Sequence, residues 1–434
     1  MKSKPLVLFI SLLFFTVANG QEILSLRNFS DMKDVRSATI NDSSLWAATT
    51  GGAFKFKFSD STYTLLTKTE GLNGSPITAS IIDSHGKIWL GSQDGTIDVY
   101  DEKTKNTRRI IDIANSGRTF RQINNFSVSG DTVFVSTDFG AVLINSQTFS
   151  FIDSYLKFST LPSNSKVNYI FKKDRIFVAT ESGIAVSRVG AINLAAPESW
   201  ILYTTANGLT SENVRKISSF RDSIIAATTR GVSVFDGTNW RSLIPQLATN
   251  SISDFSVKND SLIIITNTSI SIFRNGIFTL LIADNFSSKK LIGFRENNFF
   301  LTSDRGVEVY NNNQRVALIY PNGPEKNQFI SMSTDTRGNL WVASGSDVTG
   351  VGFYKFDGVN WENFNRNTFP RLPSNSYFKS YSDNQGNTYI GNWGFGFIHI
   401  DKNDSVEIFT TENSPLTGIP LNPQFVVIAG LAFP

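Results

Sequence analysis

One phrase recurs along the chain about every 43 residues, and this repetition restricts the possible folds more than any other feature. It is clearest in Ile88-Trp89-Leu90-Gly91-Ser92, which is followed by Gly95. Nine copies align on an aromatic or bulky anchor residue, namely Trp46, Trp89, Phe134, Phe177, Ile225, Ile263, Phe300, Trp341 and Tyr389. A period of this length is typical of propeller blades.

The residues around each anchor predict a strand that is covered on both faces. The residue before the anchor is apolar, as in Leu45 and Ile88, and the residue two positions after it is mostly small, as in Ala48 and Gly91. A strand that is apolar on both faces must be buried on both, whereas a sandwich strand would alternate. Stacked blades provide such cover, and the pairing of large with small residues allows close packing of sheets.

Turn signals divide each repeat into four strands. A hydroxyl or amide residue stands three positions after every anchor, as in Thr49, and glycine stands six positions after the anchor in six of the nine repeats. Asp236-Gly237 and Asp357-Gly358 predict a second hairpin, and Asp83-Ser84-His85-Gly86 predicts a third turn. The sequence therefore predicts an all-β protein of four-stranded antiparallel blades, without a competing helical period.

Nine repeats exceed the four to eight blades that usually close one ring. The turn-rich segment Pro321-Asn322-Gly323-Pro324 is a suitable boundary. We predict a seven-bladed propeller over residues 22–322 and the first blades of a second, incomplete propeller over residues 323–434. Residues 426–434 are interpreted as the opening strand of a tenth repeat, which implies that the natural protein continues beyond the sequence.

The first twenty residues predict export. Lys2 and Lys4 precede an apolar stretch from Leu6 to Val17 and the small residues Ala18-Asn19-Gly20, so residues 1–20 are interpreted as a signal peptide. The chain has no cysteine, which excludes disulfides and cysteine chemistry. Its net charge of +3 includes no basic run, so we predict no nucleic-acid binding.

The blade phrase resembles the two-component-regulator propeller repeat, and two longer stretches resemble the PorZ family of type IX secretion surface proteins. They are Phe29 to Arg36 followed by Leu45 to Gly52, and Gly391 to Phe397 in the ninth repeat. The resemblance implies a non-catalytic surface scaffold, peripheral to the outer membrane. Its implied partners are anionic lipopolysaccharide, or another polysaccharide, and the proteins of an attachment complex. The alternative is a periplasmic oligosaccharide-sensing module of a hybrid two-component regulator.

Candidate site residues are few. We predict no catalytic residue, metal site or cofactor, because the only histidines, His85 and His399, have no identifiable partners. A carbohydrate-active enzyme remains a third alternative, although the acidic residues mainly occupy turns. Trp393 stands where other repeats have Gln93 or Glu181, so we expect it in an exposed hairpin turn as a ligand-binding residue.

A further pattern has two interpretations. Four Asp-Ser or Asp-Thr pairs, each followed by an aliphatic residue, match an acceptor pattern for bacterial O-glycosylation or a turn before a strand. They are Asp131-Thr132-Val133, Asp222-Ser223-Ile224, Asp260-Ser261-Leu262 and Asp404-Ser405-Val406.

Overall fold

A computed structural model describes residues 27–74, 76–286, 289–311, 313–345 and 349–428. The predicted signal peptide, residues 1–20, lies outside this part of the chain. Within it, no helix is both long and apolar enough to cross a membrane.

The all-β prediction is confirmed: in the described residues, nine antiparallel sheets follow one another, each built around four strands in sequence order. Sheets one to three contain β1 (Val35–Ile40), β2 (Ser44–Thr49), β3 (Gly52–Lys57), β4 (Tyr63–Leu66), β5 (Ile77–Ile82), β6 (Ile88–Ser92), β7 (Ile97–Asp101), β8 (Asn106–Ile110), β9 (Ile123–Ser129), β10 (Thr132–Thr137), β11 (Gly140–Asn145) and β12 (Phe151–Tyr155). Sheets four to six contain β13 (Val167–Lys172), β14 (Ile176–Thr180), β15 (Gly183–Ser187), β16 (Trp200–Tyr203), β17 (Val214–Phe220), β18 (Ser223–Thr228), β19 (Gly231–Phe235), β20 (Trp240–Ser242), β21 (Ile252–Lys258), β22 (Ser261–Thr266), β23 (Ser269–Arg274) and β24 (Ile277–Ala283).

The remaining sheets complete this propeller-like arrangement. Sheets seven to nine contain β25 (Leu291–Arg295), β26 (Asn298–Ser303), β27 (Gly306–Asn311), β28 (Gln314–Ile319), β29 (Ser331–Thr334), β30 (Leu340–Ala343), β31 (Phe353–Phe356), β32 (Trp361–Phe364), β33 (Tyr377–Ser382), β34 (Thr388–Gly394), β35 (Phe397–Ile400) and β36 (Val406–Phe409), and a short β37 (Val426–Val427) pairs with β34. The part of the chain that the structure describes contains four 3₁₀ turns between strands, at Lys68–Glu70, Pro197–Ser199, Thr205–Asn207 and Pro245–Leu247.

The second strand of each sheet carries the anchor, and its burial is as predicted in eight repeats. The anchors from Trp46 to Trp341 are buried, as are the apolar residues before them except Leu340. Tyr389 is the exception, since it is half-buried and stacks on His399 with ring centroids 5.0 Å apart. The apolar faces meet between sheets, as where Trp89 of sheet two packs with Phe126 of sheet three.

The hydroxyl after the anchor closes the hairpin in the predicted way. The Thr180 hydroxyl donates to the Gly183 carbonyl at 2.9 Å and accepts from the Ser182 N–H at 3.1 Å. Gly183 has φ +125°, and a Cβ there would lie 2.4 Å from the Tyr203 carbonyl oxygen. Glycine is therefore required at this corner both by its φ and by the adjacent backbone.

The aspartates of two Asp-x-x-Gly turns hydrogen-bond to the anchor tryptophans, a contact that was not predicted from the sequence. One carboxylate oxygen of Asp83 accepts backbone N–H groups of its own turn, and the other accepts the Trp89 indole N–H at 2.9 Å. Asp335 binds the indole of Trp341 in the same way at 3.1 Å. In these two repeats, an aspartate six residues before the tryptophan gives the buried indole N–H a hydrogen-bond acceptor.

Acid is expected to weaken sheet eight through Asp335. Burial opposes ionisation of this side chain, but hydrogen bonds from Asn339 and Trp341 outweigh it and lower its pKa to about 2 from the usual 3.8. A lowered folded-state pKa contributes stability that is complete above about pH 4 and is lost as the pH falls toward 2; here it amounts to about 2 kcal/mol.

Urea titrations at pH 5 and pH 2.5 measure this contribution. Asp335→Asn should reduce the loss of stability between the two pH values, whereas Asp222→Asn, at an exposed turn residue, should not. An equal pH dependence of the wild type and Asp335→Asn would contradict the assignment.

Contacts between sheets follow a cyclic order in the first seven. The first strands β1, β5, β9, β13, β17, β21 and β25 contact one another in sequence, and β25 and β26 in turn pack against β1. An apolar cluster of sheets one and seven, including Leu45, Phe54, Phe300 and Val309, fills this last junction. Sheets eight and nine share a separate cluster around Trp341 and Tyr377.

The segments before sheet one and before sheet eight lie against sheet eight. The Phe29 ring contacts those of Phe356 and Trp361, with centroids 4.6 Å and 5.5 Å apart. The Asn322 side chain exchanges two hydrogen bonds with the backbone of Trp361. The turn-rich segment predicted as a boundary is therefore bonded to the outer strand β32.

The end of the described chain makes a backbone hydrogen bond that two earlier repeats also make. Gly396 N–H donates to the Val426 carbonyl at 3.4 Å, as Gly183 does to Glu212 and Gly231 to Asn250. In the two earlier repeats the accepting residue stands two positions before the next first strand. Residues 429–434 lie outside the described part, so the predicted opening strand of a tenth repeat stays a prediction.

Candidate functional site

The first strands of sheets one to seven surround a channel. Two adjoining cavities occupy it, of about 1230 Å³ and about 600 Å³, and both are lined by Thr78, Gln122, Lys289 and Lys290. We call the larger the outer cavity and the smaller the inner cavity. The volume of the inner cavity lies within the usual range for small-molecule sites.

Hydrogen bonds between neighbouring first strands form a belt around part of the channel. The second residue of a first strand donates its side chain to the carbonyl of the first residue of the next. The four bonds run from Thr78 to Ile123 (2.6 Å), Asn124 to Val167 (3.0 Å), Asn168 to Val214 (2.8 Å) and Arg215 to Ile252 (3.1 Å). The belt therefore joins sheets two to six and fixes the side chains that line the inner cavity.

The inner cavity has more basic than acidic side chains. Lysines and arginines contribute Lys166, Arg215, Lys216, Lys289 and Lys290, whereas the acidic side chains are Glu181 and Asp254. Amides of Asn124, Asn168 and Asn213 add hydrogen-bonding groups. Such a wall attracts anions and offers partners for hydroxyl groups.

Three of the five cations are paired with carboxylates. Lys166 lies 3.1 Å from Glu181, Lys216 lies 2.8 Å from Asp254, and Lys289 lies 2.7 Å from Glu308. The pairing leaves Arg215 and Lys290 without a carboxylate within ion-pair distance in the described structure.

Asp254 is fixed by bonds from three sheets. One of its oxygens accepts Lys216 Nζ and the Phe255 N–H, and the other accepts the Leu291 N–H at 3.0 Å. Because both carboxylate oxygens of Asp254 already accept hydrogen bonds from the wall of the channel, this side chain has little capacity left to bind a ligand.

Arg215 and Lys290 are poorly stabilised cations. Desolvation lowers the pKa of the Arg215 guanidinium. Loss of hydration, together with the positive charges of Lys216 and Arg36, lowers the pKa of the Lys290 amine despite Asp254 nearby. An anion bound beside either cation would raise the pKa of that cation again.

Trp393 lies between Gly391 and Phe397, the last paired residues of the β34–β35 hairpin, but it has strand conformation and is half-buried, so the predicted exposure in a turn is wrong. It belongs to β34, pairs with Val427 and is half-buried against Phe378, with ring centroids 5.3 Å apart. The sequence could not reveal the extension of β34, because the pairing strand lies more than thirty residues later. Trp393 N–H donates to the Ser376 carbonyl, just as Gln93 N–H donates to Pro76.

This equivalence gives Trp393 a defined environment. Gln93 lines the outer cavity, and Glu181, at the same repeat position, lines the inner one. In sheet nine the corresponding place is therefore beside the first strands β29 and β33, with an exposed Phe395 two residues away.

The two histidines each lie beside one surface carboxylate. His85 Nε2 is 3.0 Å from Asp131, and His399 Nδ1 is 3.3 Å from Glu407. Within the described ranges, no group of three or more His, Asp or Glu side chains is arranged to hold a metal ion. The four Asp-Ser or Asp-Thr pairs stand where a strand begins, for example Thr132 at the start of β10, as the turn interpretation predicts.

Known proteins that are similar to this chain share its propeller-like arrangement. Residues 45–201 match the family of the PorZ N-terminal β-propeller domain. The structure is similar to that of PorZ from Porphyromonas gingivalis, an essential surface component of its type IX secretion system, with a TM-score of 0.72 and 16% identity over 92% of this chain and 55% of that one. The predicted resemblance to PorZ is confirmed. No curated protein matches the sequence.

A second solved structure is also similar to this chain. It is the extracellular domain of the putative one-component system BT4673 from B. thetaiotaomicron, with a TM-score of 0.51 and 16% identity over 88% of this chain and 54% of that one. The chain thus spans about half the length of either structure. At such identities the likeness is one of fold.

Proposed function

Starting from the match of residues 45–201 to the PorZ N-terminal propeller domain, we propose that this protein is a non-catalytic scaffold of a type IX secretion attachment complex. It works at the cell surface, peripheral to the outer membrane. It binds an anionic polysaccharide, with lipopolysaccharide as the first candidate, and presents it to protein partners of the complex.

We also propose that residues 22–322 form a seven-bladed propeller and that residues 323–434 begin a second one. The cyclic contacts support this division, since β25 and β26 pack against β1. It is further supported by the apolar clusters, which join successive sheets from one to seven and then sheets eight and nine. Within the described residues, no such cluster joins sheets seven and eight.

The basic inner cavity is the observation that carries the binding role. Its unpaired cations and its amides suit a ligand with both negative charge and hydroxyl groups, which is the chemistry of an acidic glycan. Its carboxylates are held in ion pairs, whereas glycoside hydrolysis needs two carboxyl groups facing one bond. The arrangement therefore favours binding over cleavage.

Retention on immobilised anionic lipopolysaccharide tests this role. We expect the protein to be retained and the glycan to be recovered unaltered. Trp393→Ala should weaken retention if its indole stacks on a sugar at the second group of sheets. Phe151→Ala removes an exposed aromatic residue of the outer strand β12 and serves as the matched control.

The outcomes separate the candidate functions. Release of shortened glycan would identify an enzyme and overturn the proposal. Binding of neutral oligosaccharides, without retention on lipopolysaccharide, would favour the periplasmic sensor, for which the likeness to the BT4673 extracellular domain provides the fold. Equal retention of Trp393→Ala and the wild type would remove Trp393 from the binding site.

A further inference from the structure

We infer that the inner cavity of the first seven sheets is a binding site for an acidic sugar, whose carboxylate or phosphate lies between Arg215 and Lys290. The inference rests on the proposed function, and it gives that function a place and a ligand chemistry. It concerns the first group of sheets and is separate from Trp393.

The position of the two cations carries the argument. Arg215 is the second residue of β17, and Lys290 immediately precedes β25; sheet six, with β21, stands between these strands. Both side chains line the inner cavity. A ligand that reached both side chains would contact two sheets that are not neighbours and would thereby bridge the channel.

Each cation has unused donors. The Arg215 guanidinium donates one hydrogen bond, to the Ile252 carbonyl, which also fixes its direction. The Lys290 amine donates none to any described residue, and its side chain is open to the channel. Since Arg presents five N–H groups and Lys three, most of this capacity is available to a ligand.

Neighbouring side chains determine the rest of the ligand. The Asn124 and Asn168 amides donate to the belt. The Asn168 carbonyl oxygen accepts from no described residue and can take a sugar hydroxyl donor, whereas the Asn124 carbonyl oxygen already accepts one bond from Gln122 at 3.1 Å. Tyr169 adds an aromatic ring to the same wall. A simple inorganic anion would use the charges alone, whereas an acidic sugar would also use the amides and the ring.

Calorimetric titration of the full chain with four probes tests the site. Galacturonate and glucose 1-phosphate carry both a negative charge and hydroxyl groups, inorganic phosphate carries only the charge, and glucose carries only the hydroxyl groups. We expect one of the two acidic sugars to bind more tightly than phosphate, and glucose not to bind. The preferred acidic sugar identifies whether the anionic group is a carboxylate or a phosphate.

Variants connect binding to the two residues. Lys290→Gln and Arg215→Gln should each lower the affinity for the acidic sugar by roughly ten- to a hundredfold, since a hydrogen bond to a charged partner is lost. Lys290→Arg should retain most of the affinity, and Lys103→Gln, on an exposed turn, should retain all of it. Unchanged affinity in Lys290→Gln, or binding of phosphate as tightly as either sugar, would overturn the inference.

Stability separates a ligand-binding role from a structural one. Because the Lys290 side chain is exposed to the channel and donates no hydrogen bond to a described residue, Lys290→Gln should leave the denaturant midpoint of the free protein nearly unchanged. A structural lysine would instead lower it, and that result would overturn the inference. If acidic sugars bind but lipopolysaccharide is not retained, the inferred site is supported and the proposed surface function is wrong. If lipopolysaccharide is retained but neither acidic sugar binds, the proposed function is supported and the inferred site is wrong.

Discussion

Replacing Trp89 with alanine is expected to lower the free energy of unfolding by about 3–5 kcal/mol, the usual range for a buried large aromatic residue. Trp89 is fully buried between sheets two and three, where its ring contacts Phe126 and Phe149. The substitution opens a cavity and also leaves the buried Asp83 carboxylate without the indole donor.

Two variants separate these contributions. Trp89→Phe keeps most of the apolar volume and removes the indole N–H, so we expect it to be destabilised by about 1–3 kcal/mol. Phe120→Ala changes a ring that is 75% exposed and should leave the denaturant midpoint nearly unchanged. A midpoint for Trp89→Ala that equals that of the wild type would contradict the packing between sheets.

Residues 323–434 expressed alone are expected to show no cooperative unfolding transition. They contain two complete sheets, whereas repeat arrays need about three units to bury their faces. The fragment also lacks Phe29, which packs on Phe356 and Trp361 of sheet eight, and would expose these rings to water. Residues 22–322 should by contrast unfold in one transition.

Circular dichroism during urea titration measures both fragments, and limited proteolysis of the full chain provides the control. Trypsin should leave a resistant core within residues 22–322. A resistant fragment covering 323–434, together with loss of the first seven sheets, would show that the division of the chain is wrong. Phe29→Ala in the full chain should destabilise sheet eight more than the first seven sheets.

The sheets could be predicted from the sequence because their determinants are local and repeated. Thr180 and Gly183 lie within four residues of each other, and each is forced by the same hairpin. The burial of the anchor tryptophans could likewise be predicted from the repeat. The role of Asp83 could not, because the sequence does not show that one of its oxygens accepts backbone N–H groups and the other the Trp89 indole. Repetition makes such signals visible above the variation of single residues.

The channel could not be predicted in this way, because no repeated residue type marks it. The belt uses threonine at Thr78, asparagine at Asn124 and Asn168, and arginine at Arg215, which share a position and little chemistry. Lys290 stands outside a strand and more than seventy residues from Arg215. Polar residues on a first strand resemble an ordinary solvent face until the channel encloses them. Trp393 was misplaced for a related reason, since its partner strand β37 is distant in sequence.

The belt also affects how the sheets resist unwanted association. A first strand is the edge of its sheet, and a bare edge can recruit an extended peptide by strand addition. In sheets three to six, the carbonyl at the start of that edge already accepts a side chain from the preceding sheet. A polypeptide entering the channel therefore finds these acceptors engaged, which disfavours extension of the sheets inward. The outer edge at β24, with exposed Ile277 and Leu280, has no comparable shield within the described residues, so misassembly of this protein should begin at its circumference.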